Sequence, residues 1–126
     1  MAAGFGRRQR LRTRREFDRV FRKGRRLDGP LFQLIVSVNA EERDRLGLAV
    51  SRRVGGAVER NRARRLLREG FRRLERTGAA GFDVVVVARA PLARRGQAEV
   101  DRELRERLQS IRRRAVGAGE AAASPR

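Results

Sequence analysis

The sequence predicts an α+β fold: a single domain built as a two-layer α-β sandwich, ordered helix, two or three strands, helix, strand, helix. Three observations carry this. Leu31 to Val38 (LFQLIVSV) and Asp83 to Arg89 (DVVVVAR) are short, nearly continuous apolar runs, the pattern of strands covered on both faces. Residues 58 to 76 place Ala63, Leu66, Leu67, Gly70, Phe71 and Leu74 at i, i+3, i+4, i+7, i+8 and i+11, the stripe of a helix that covers such a sheet. A last helix over residues 97 to 114 repeats the device with Val100, Leu104, Leu108, Ile111 and Ala115. At 126 residues the chain can bury one modest core.

Each element has a local cause. Residues 1–12 are small and basic, and are expected to form a flexible arm. Thr13 and Glu16 form a capping box that opens a short helix ending near Lys23, with Gly24 in the C′ position. Phe17, Val20 and Phe21 share one stripe of that helix. Gly24 to Pro30 is rich in turn residues, with room for an extended piece around Arg26 and Leu27, and Asn39 to Asp44 is a polar loop. Arg45 to Ser51 alternates: Leu46, Leu48 and Val50 on one face, the small Gly47, Ala49 and Ser51 on the other. Small residues there allow a helix or a ligand to approach the sheet. Gly55 and Gly56 form the turn into the central helix, but the turn lacks the Gly-Lys-Ser/Thr ending of a nucleotide P-loop. Gly78 to Gly81 breaks that helix, Pro91 begins a helical connection, and Gly96 interrupts it. Residues 116–126 are expected to be a disordered tail, leaving 13–115 as the folded domain.

Charge narrows the function. The chain has 33 basic and 15 acidic residues, a net charge of +18, and only Lys23 among the basic residues is not Arg. The partner such a charge calls for is a polyphosphate. The charge is also organised. Asn61, Arg65, Arg68 and Arg72 lie opposite the apolar stripe of the central helix, with Arg76 beside them and Arg60, Arg62 and Arg64 on the flanks. A merely solvated face mixes signs, because Glu–Arg pairs stabilise a helix and Arg–Arg pairs repel. Here Glu59, Glu69 and Glu75 sit only at the edges.

Catalysis by this chain alone is disfavoured. It has no Cys and no His, which removes disulfides, Cys/His metal sites and His-activated nucleophiles. Its aspartates are scattered, with no carboxylate constellation for a metal-dependent nuclease. No apolar run approaches a membrane span, so no membrane is expected, and the cytoplasm is the default location. Uniform Arg speaks to phosphates, which position but do not specify, so structured RNA fits best. With no Trp or Tyr, Phe17 and Phe21 remain the candidates for stacking.

At this point the residues resemble a known family. Ala57 to Glu69 (AVERNRARRLLRE) resembles the RNR signature of the protein subunit of bacterial ribonuclease P, preceded at the right distance by Arg45 to Gly55 (RLGLAVSRRVG). Leu11, Arg15 to Phe17, Val20 with Phe21, and Val84 to Pro91 (VVVVARAP) also match, so the resemblance covers roughly residues 8 to 115. It implies a four-stranded sheet in the order α-β-β-β-α-β-α, with a left-handed crossover into the RNR helix. It implies a ribonucleoprotein that removes the 5′ leader from precursor tRNA, with catalytic magnesium on the RNA subunit and no cofactor in the protein. Carried over by position, Arg52, Arg53, Arg60, Asn61, Arg62, Arg65 and Arg68 would meet the catalytic RNA. Phe17, Phe21, Ile35 and Arg89 would hold the single-stranded leader of precursor tRNA. Relatives often carry an aromatic where Ile35 stands, so apolar packing on a nucleotide is expected there instead of stacking. The competing readings are a basic ribosomal or RNA-chaperone protein and a nonspecific DNA-compacting protein.

Overall fold

The computed structural model describes residues 10–39, 44–74 and 81–117, with side chains in the last helix through Ile111. Its elements are α1 (Arg14–Lys23), β1 (Arg25–Asp28), β2 (Phe32–Val38), β3 (Arg45–Ala49), α2 (Ala57–Arg72), β4 (Phe82–Ala88), a 3₁₀ turn (Ala90–Arg94) and α3 (Gln97–Gly117). The expected element order is the observed one. The four strands form one sheet in the order β1-β2-β4-β3. β2 pairs antiparallel with β1 and with β4, whereas β3 runs parallel to β4, so α2 links two parallel neighbours.

Alternation along the strands sorts the core onto two faces. Phe32, Leu34, Val36, Val84, Val86 and Leu46 face α2 and α3, whose Ala63, Leu66, Leu67, Phe71, Val100, Leu104, Leu108 and Ile111 are buried against them. Ile35 and Val85 face the other way, under α1, with Val20 and Leu11. This is the cover on both faces that the continuous apolar runs demanded.

Local chemistry sets the ends. The capping box is present: Thr13 Oγ1 accepts from the Glu16 amide at 3.1 Å, and the Glu16 carboxylate accepts from the amides of Thr13 and Arg12 at 3.1 and 2.6 Å. Gly24 ends α1 as expected, in an extended conformation with φ −77° and ψ 156°. Its glycine is needed for space. A Cβ there would stand 2.6 Å from the Val20 carbonyl oxygen and 2.7 Å from Ile35 Cγ2. The central helix ends at Arg72, short of the expected Arg76, because the Leu74 amide turns to the Phe71 carbonyl at 3.2 Å and tightens the last turn. Residues 75–80, which include Arg76 and most of the glycine break, lie outside the described residues.

Two further boundaries differ from expectation. Arg10 bridges in parallel to Leu46, the Leu11 amide donates to the Leu46 carbonyl at 2.9 Å, and Leu11 is buried. Residues 10–12 therefore dock on β3 and do not belong to a free arm; residues 1–9 lie outside the described part. At the other end α3 continues through Gly117, and the remaining tail is likewise outside it. Where β3 and β4 begin, the Arg45 guanidinium grips Asp83 with two bonds of 2.8 Å and Asn39 adds a third at 2.7 Å. That buried carboxylate is thus paired and hydrogen-bonded. Among the described residues, no helix is long and apolar enough to cross a membrane.

Candidate nucleic-acid interface

The turn before α2 presents Arg52 and Arg53 to solvent while Val54 is buried beneath them. Gly55 takes φ +147°, a conformation open to glycine, and the Glu59 carboxylate caps the helix by accepting from the Gly56 amide at 2.9 Å. The turn is thus pinned from inside, and its two arginines stay outside.

Along α2 the basic residues separate into three groups. Asn61 and Arg65 are exposed at the centre of the polar face, with Arg60 half-buried beside them. Asn61 Oδ1 accepts from Arg64 Nη1 at 3.0 Å. Arg62, also expected against RNA, is exposed and makes contacts within the fold as well. It leans across the 3₁₀ turn, donating from Nε to the Ala93 carbonyl at 2.8 Å and from Nη2 to the Arg95 carbonyl at 2.9 Å. Those two bonds to backbone carbonyls fasten α2 to the turn after β4. On the opposite flank Arg64 and Arg68 are half-buried, one turn apart.

Those two arginines overlook a groove of about 540 Å³, whose other wall is Arg10, Leu11 and Arg12. Phe17, Leu46 and Leu48 supply its apolar part. Burial, then the charges of Arg10 and Arg64, hold the Arg68 guanidinium below its ordinary pKa. Sequence reasoning did not foresee that Arg10, Arg12 and Arg64 would line one groove with Arg68. The (i, i+4) spacing of Arg64 and Arg68 was the one available signal, and a single bridge at residue 10 leaves no strand pattern to read.

The α1 face holds the aromatic residues. The Phe17 ring lies over Gly47: a Cβ on that glycine would come within 2.7 Å of Phe17 Cζ. The close approach left open by the small residues of β3 is therefore filled by α1. Phe21 is half-buried, with the Arg26 guanidinium carbon 5.8 Å from its ring centroid. Ile35 is not available as cleft lining. It has no exposed surface, because α1 and the close-fitting Gly24 lie directly on it. The open part of this face is the next row of the ladder, Asp28, Gln33, Val87 and Ala49, which the register aligns across all four strands. Gln33, Val87 and Ala49 are only half-buried. Gln33 donates to Asp28 at 2.8 Å and Arg89 pairs with the same carboxylate at 3.1 Å, so Arg89 stands at the rim of that row.

Among the described residues no group of three or more acidic side chains gathers to hold a metal ion. The arrangement is a cationic and aromatic surface suited to binding an extended polyanion.

Comparison with known proteins decides the family. A sequence profile described as Ribonuclease P matches residues 5–112. This chain belongs to the ribonuclease P protein family. The ribonuclease P protein component of Thermotoga maritima is 36% identical over 117 residues, which is 93% of this chain and all of that one. That of Dehalococcoides mccartyi is 43% identical over 100 residues, 79% of this chain and 81% of the other. Among solved structures, the RNase P protein of Staphylococcus aureus superposes with a TM-score of 0.71 at 27% identity, covering 80% of this chain and 93% of that one. The T. maritima RNase P protein gives 0.65 at 35% identity, covering 75% and 90%. The α+β fold around a mixed four-stranded sheet is thus the ribonuclease P protein fold. The chain is the protein component of an endoribonuclease that acts in tRNA processing.

Proposed function

We propose that this chain binds the catalytic RNA of ribonuclease P through the turn before α2 and the exposed face of that helix, and binds the precursor-tRNA leader on the α1 face. Arg52, Arg53, Arg60, Asn61, Arg65 and Arg68 meet the RNA subunit, with Arg62 bracing the helix that carries them. Phe17 and Phe21 flank the leader, the row Gln33, Val87 and Ala49 floors it in place of Ile35, and Arg89 closes one end. The observation that carries this reading is the division of one small domain into two surfaces. One is lined almost wholly by guanidinium groups; the other combines half-buried phenylalanines with an uncovered strip of sheet.

Magnesium belongs to the RNA in this scheme, since the protein's described carboxylates are dispersed. The protein supplies binding: phosphate contacts to hold the strand, and leader contacts that favour precursor over mature tRNA. Product, having lost its leader, is held less tightly and leaves. The cytoplasm, where tRNA is processed, is the corresponding location.

The test is precursor-tRNA cleavage by a bacterial ribonuclease P RNA at low magnesium, with and without the chain. Stimulation that vanishes when the leader is trimmed to a single nucleotide supports both surfaces. Tight RNA binding without stimulation moves the assignment to a ribosomal or RNA-chaperone protein.

A further inference from the structure

The groove between residues 10–12 and α2 takes no part in either surface as proposed, apart from Arg68 and the Phe17 ring at its edge. We infer that it seats the phosphodiester backbone of a single RNA strand running along the edge of β3. The site rests on the RNA-binding reading above and extends it to Arg10, Arg12 and Arg64.

Four guanidinium groups converge there from two separate segments, Arg10 and Arg12 from the docked N-terminal stretch and Arg64 and Arg68 from α2. Like charges brought together across a fold repel, and local geometry does not require it. Arg10 is placed by its bridge to Leu46, whereas Arg64 and Arg68 are placed by the apolar stripe of α2. Among the described residues no carboxylate pairs with Arg10, Arg64 or Arg68. The acid nearest Arg10 in sequence, Glu16, is spent on the Arg12 and Thr13 amides and on Arg45, and Glu69, next to Arg68, pairs with Arg72 and Arg73. Such a cluster is relieved by an anion, which would compensate the burial of the Arg68 guanidinium and its repulsion by Arg10 and Arg64.

The lining selects among polyanions. Phe17 and Leu48 bring aromatic and aliphatic surface beside the guanidinium groups, the combination that holds a strand with unpaired bases. A duplex, with its bases stacked inward, offers that surface nothing. A bound phosphate would also fasten residues 10–12 to α2, closing the β3 edge.

The test measures binding of the full chain to a labelled single-stranded oligouridylate by fluorescence anisotropy across a salt series. An unlabelled duplex of equal length and inorganic phosphate serve as competitors. Arg10→Gln and Arg68→Gln should each lower the slope of log affinity against log salt by about 0.7. Arg68→Lys should keep the slope, and Arg102→Gln and Arg105→Gln, exposed on α3, should leave it at the wild-type value. The first two variants act from different segments, so a folding defect in one, seen by circular dichroism, leaves the other to decide. Folded groove variants with the wild-type slope overturn the site. So does a duplex that competes as well as the single strand. Inorganic phosphate whose binding is lost in the variants while the RNA slope stands reveals a free-anion site and overturns the strand assignment. Stimulation of ribonuclease P RNA, measured in parallel, separates the two levels: a stimulating wild type with an indifferent groove discards this site alone, and a wild type without stimulation discards the reading beneath it.

Discussion

Arg62 shows how a residue expected to face a partner can also hold the fold together. Its place on the flank of α2 suggested an RNA contact, yet both its Nε and Nη2 donate to carbonyls of the 3₁₀ segment. Removing it should therefore cost stability before it costs affinity. Arg62→Ala should destabilise the domain by about 1–3 kcal/mol, two charge-assisted bonds in a partly exposed place. Arg65→Ala, exposed and opposite the apolar stripe, should stay within about 0.5 kcal/mol of wild type while weakening RNA-subunit binding. Paired thermal melts and RNA titrations decide it: equal melting points for the two variants would refute the brace. Glu16 is the second case. The Arg12 amide bond lowers its pKa against an opposing push from burial, helped by the Thr13 amide and the charges of Arg45 and Arg19. A carboxyl with a depressed folded pKa contributes stability above its unfolded value of about 4.3 and loses it as pH falls through the folded value. Denaturant melts from pH 6 downward should thus show a shallower acid loss for Glu16→Gln than for wild type. The Glu16 cap was legible in residue order, but the Arg62 contact was not, since Arg62 and Ala93 stand far apart along the chain and meet only when α2 crosses the turn.

At the scale of elements, the sequence reading succeeded where one periodicity filled a segment and failed at the joins. α2 and α3 were legible because apolar stripes recur over several turns, and β2 and β4 because their apolar residues run nearly unbroken. The ends depend on tertiary contacts. Gly24 was expected just past the end of α1 and stands there, but its backbone is extended and its lack of a side chain is required by Ile35 packed on it. The same contact hides Ile35, which is why a residue on the correct sheet face is not part of its open surface. Gly70 makes the helix pair possible in a similar way. A Cβ there would stand 2.6 Å from Leu104 Cδ1 and 2.9 Å from Asp101 Oδ1. Gly70→Ala gains about 1 kcal/mol of helix propensity but overpacks a closed interface at about 1–3 kcal/mol. Leu104 is fully buried, and Asp101 is held by Arg73 and Gln97. Neither neighbour yields easily, so the net effect should be a loss. A melting temperature raised above wild type would show that α3 can shift away from α2.

The whole molecule must reconcile one small core with a net charge of +18. Arg45–Asp83 and Arg73–Asp101 neutralise charge at element junctions, but the exposed face of α2 and the groove beside it stay positive. In the unfolded chain those guanidinium groups stand far apart; folding brings Arg10, Arg64 and Arg68 around one space. Electrostatic repulsion is therefore concentrated in the native state and should weaken it at low ionic strength. An anion that binds only the folded chain reverses this by mass action, about 2.7 kcal/mol at a hundred times its dissociation constant. Far-UV circular dichroism should accordingly show less helix in dilute buffer and a gain on adding sulfate. Sodium chloride at matched ionic strength separates the causes, because screening acts equally with both salts whereas binding favours the divalent oxyanion. A larger gain with sulfate, diminished in Arg68→Gln, would tie folding to the groove. Identical spectra in dilute buffer and in sulfate would show that the core carries the charge unaided.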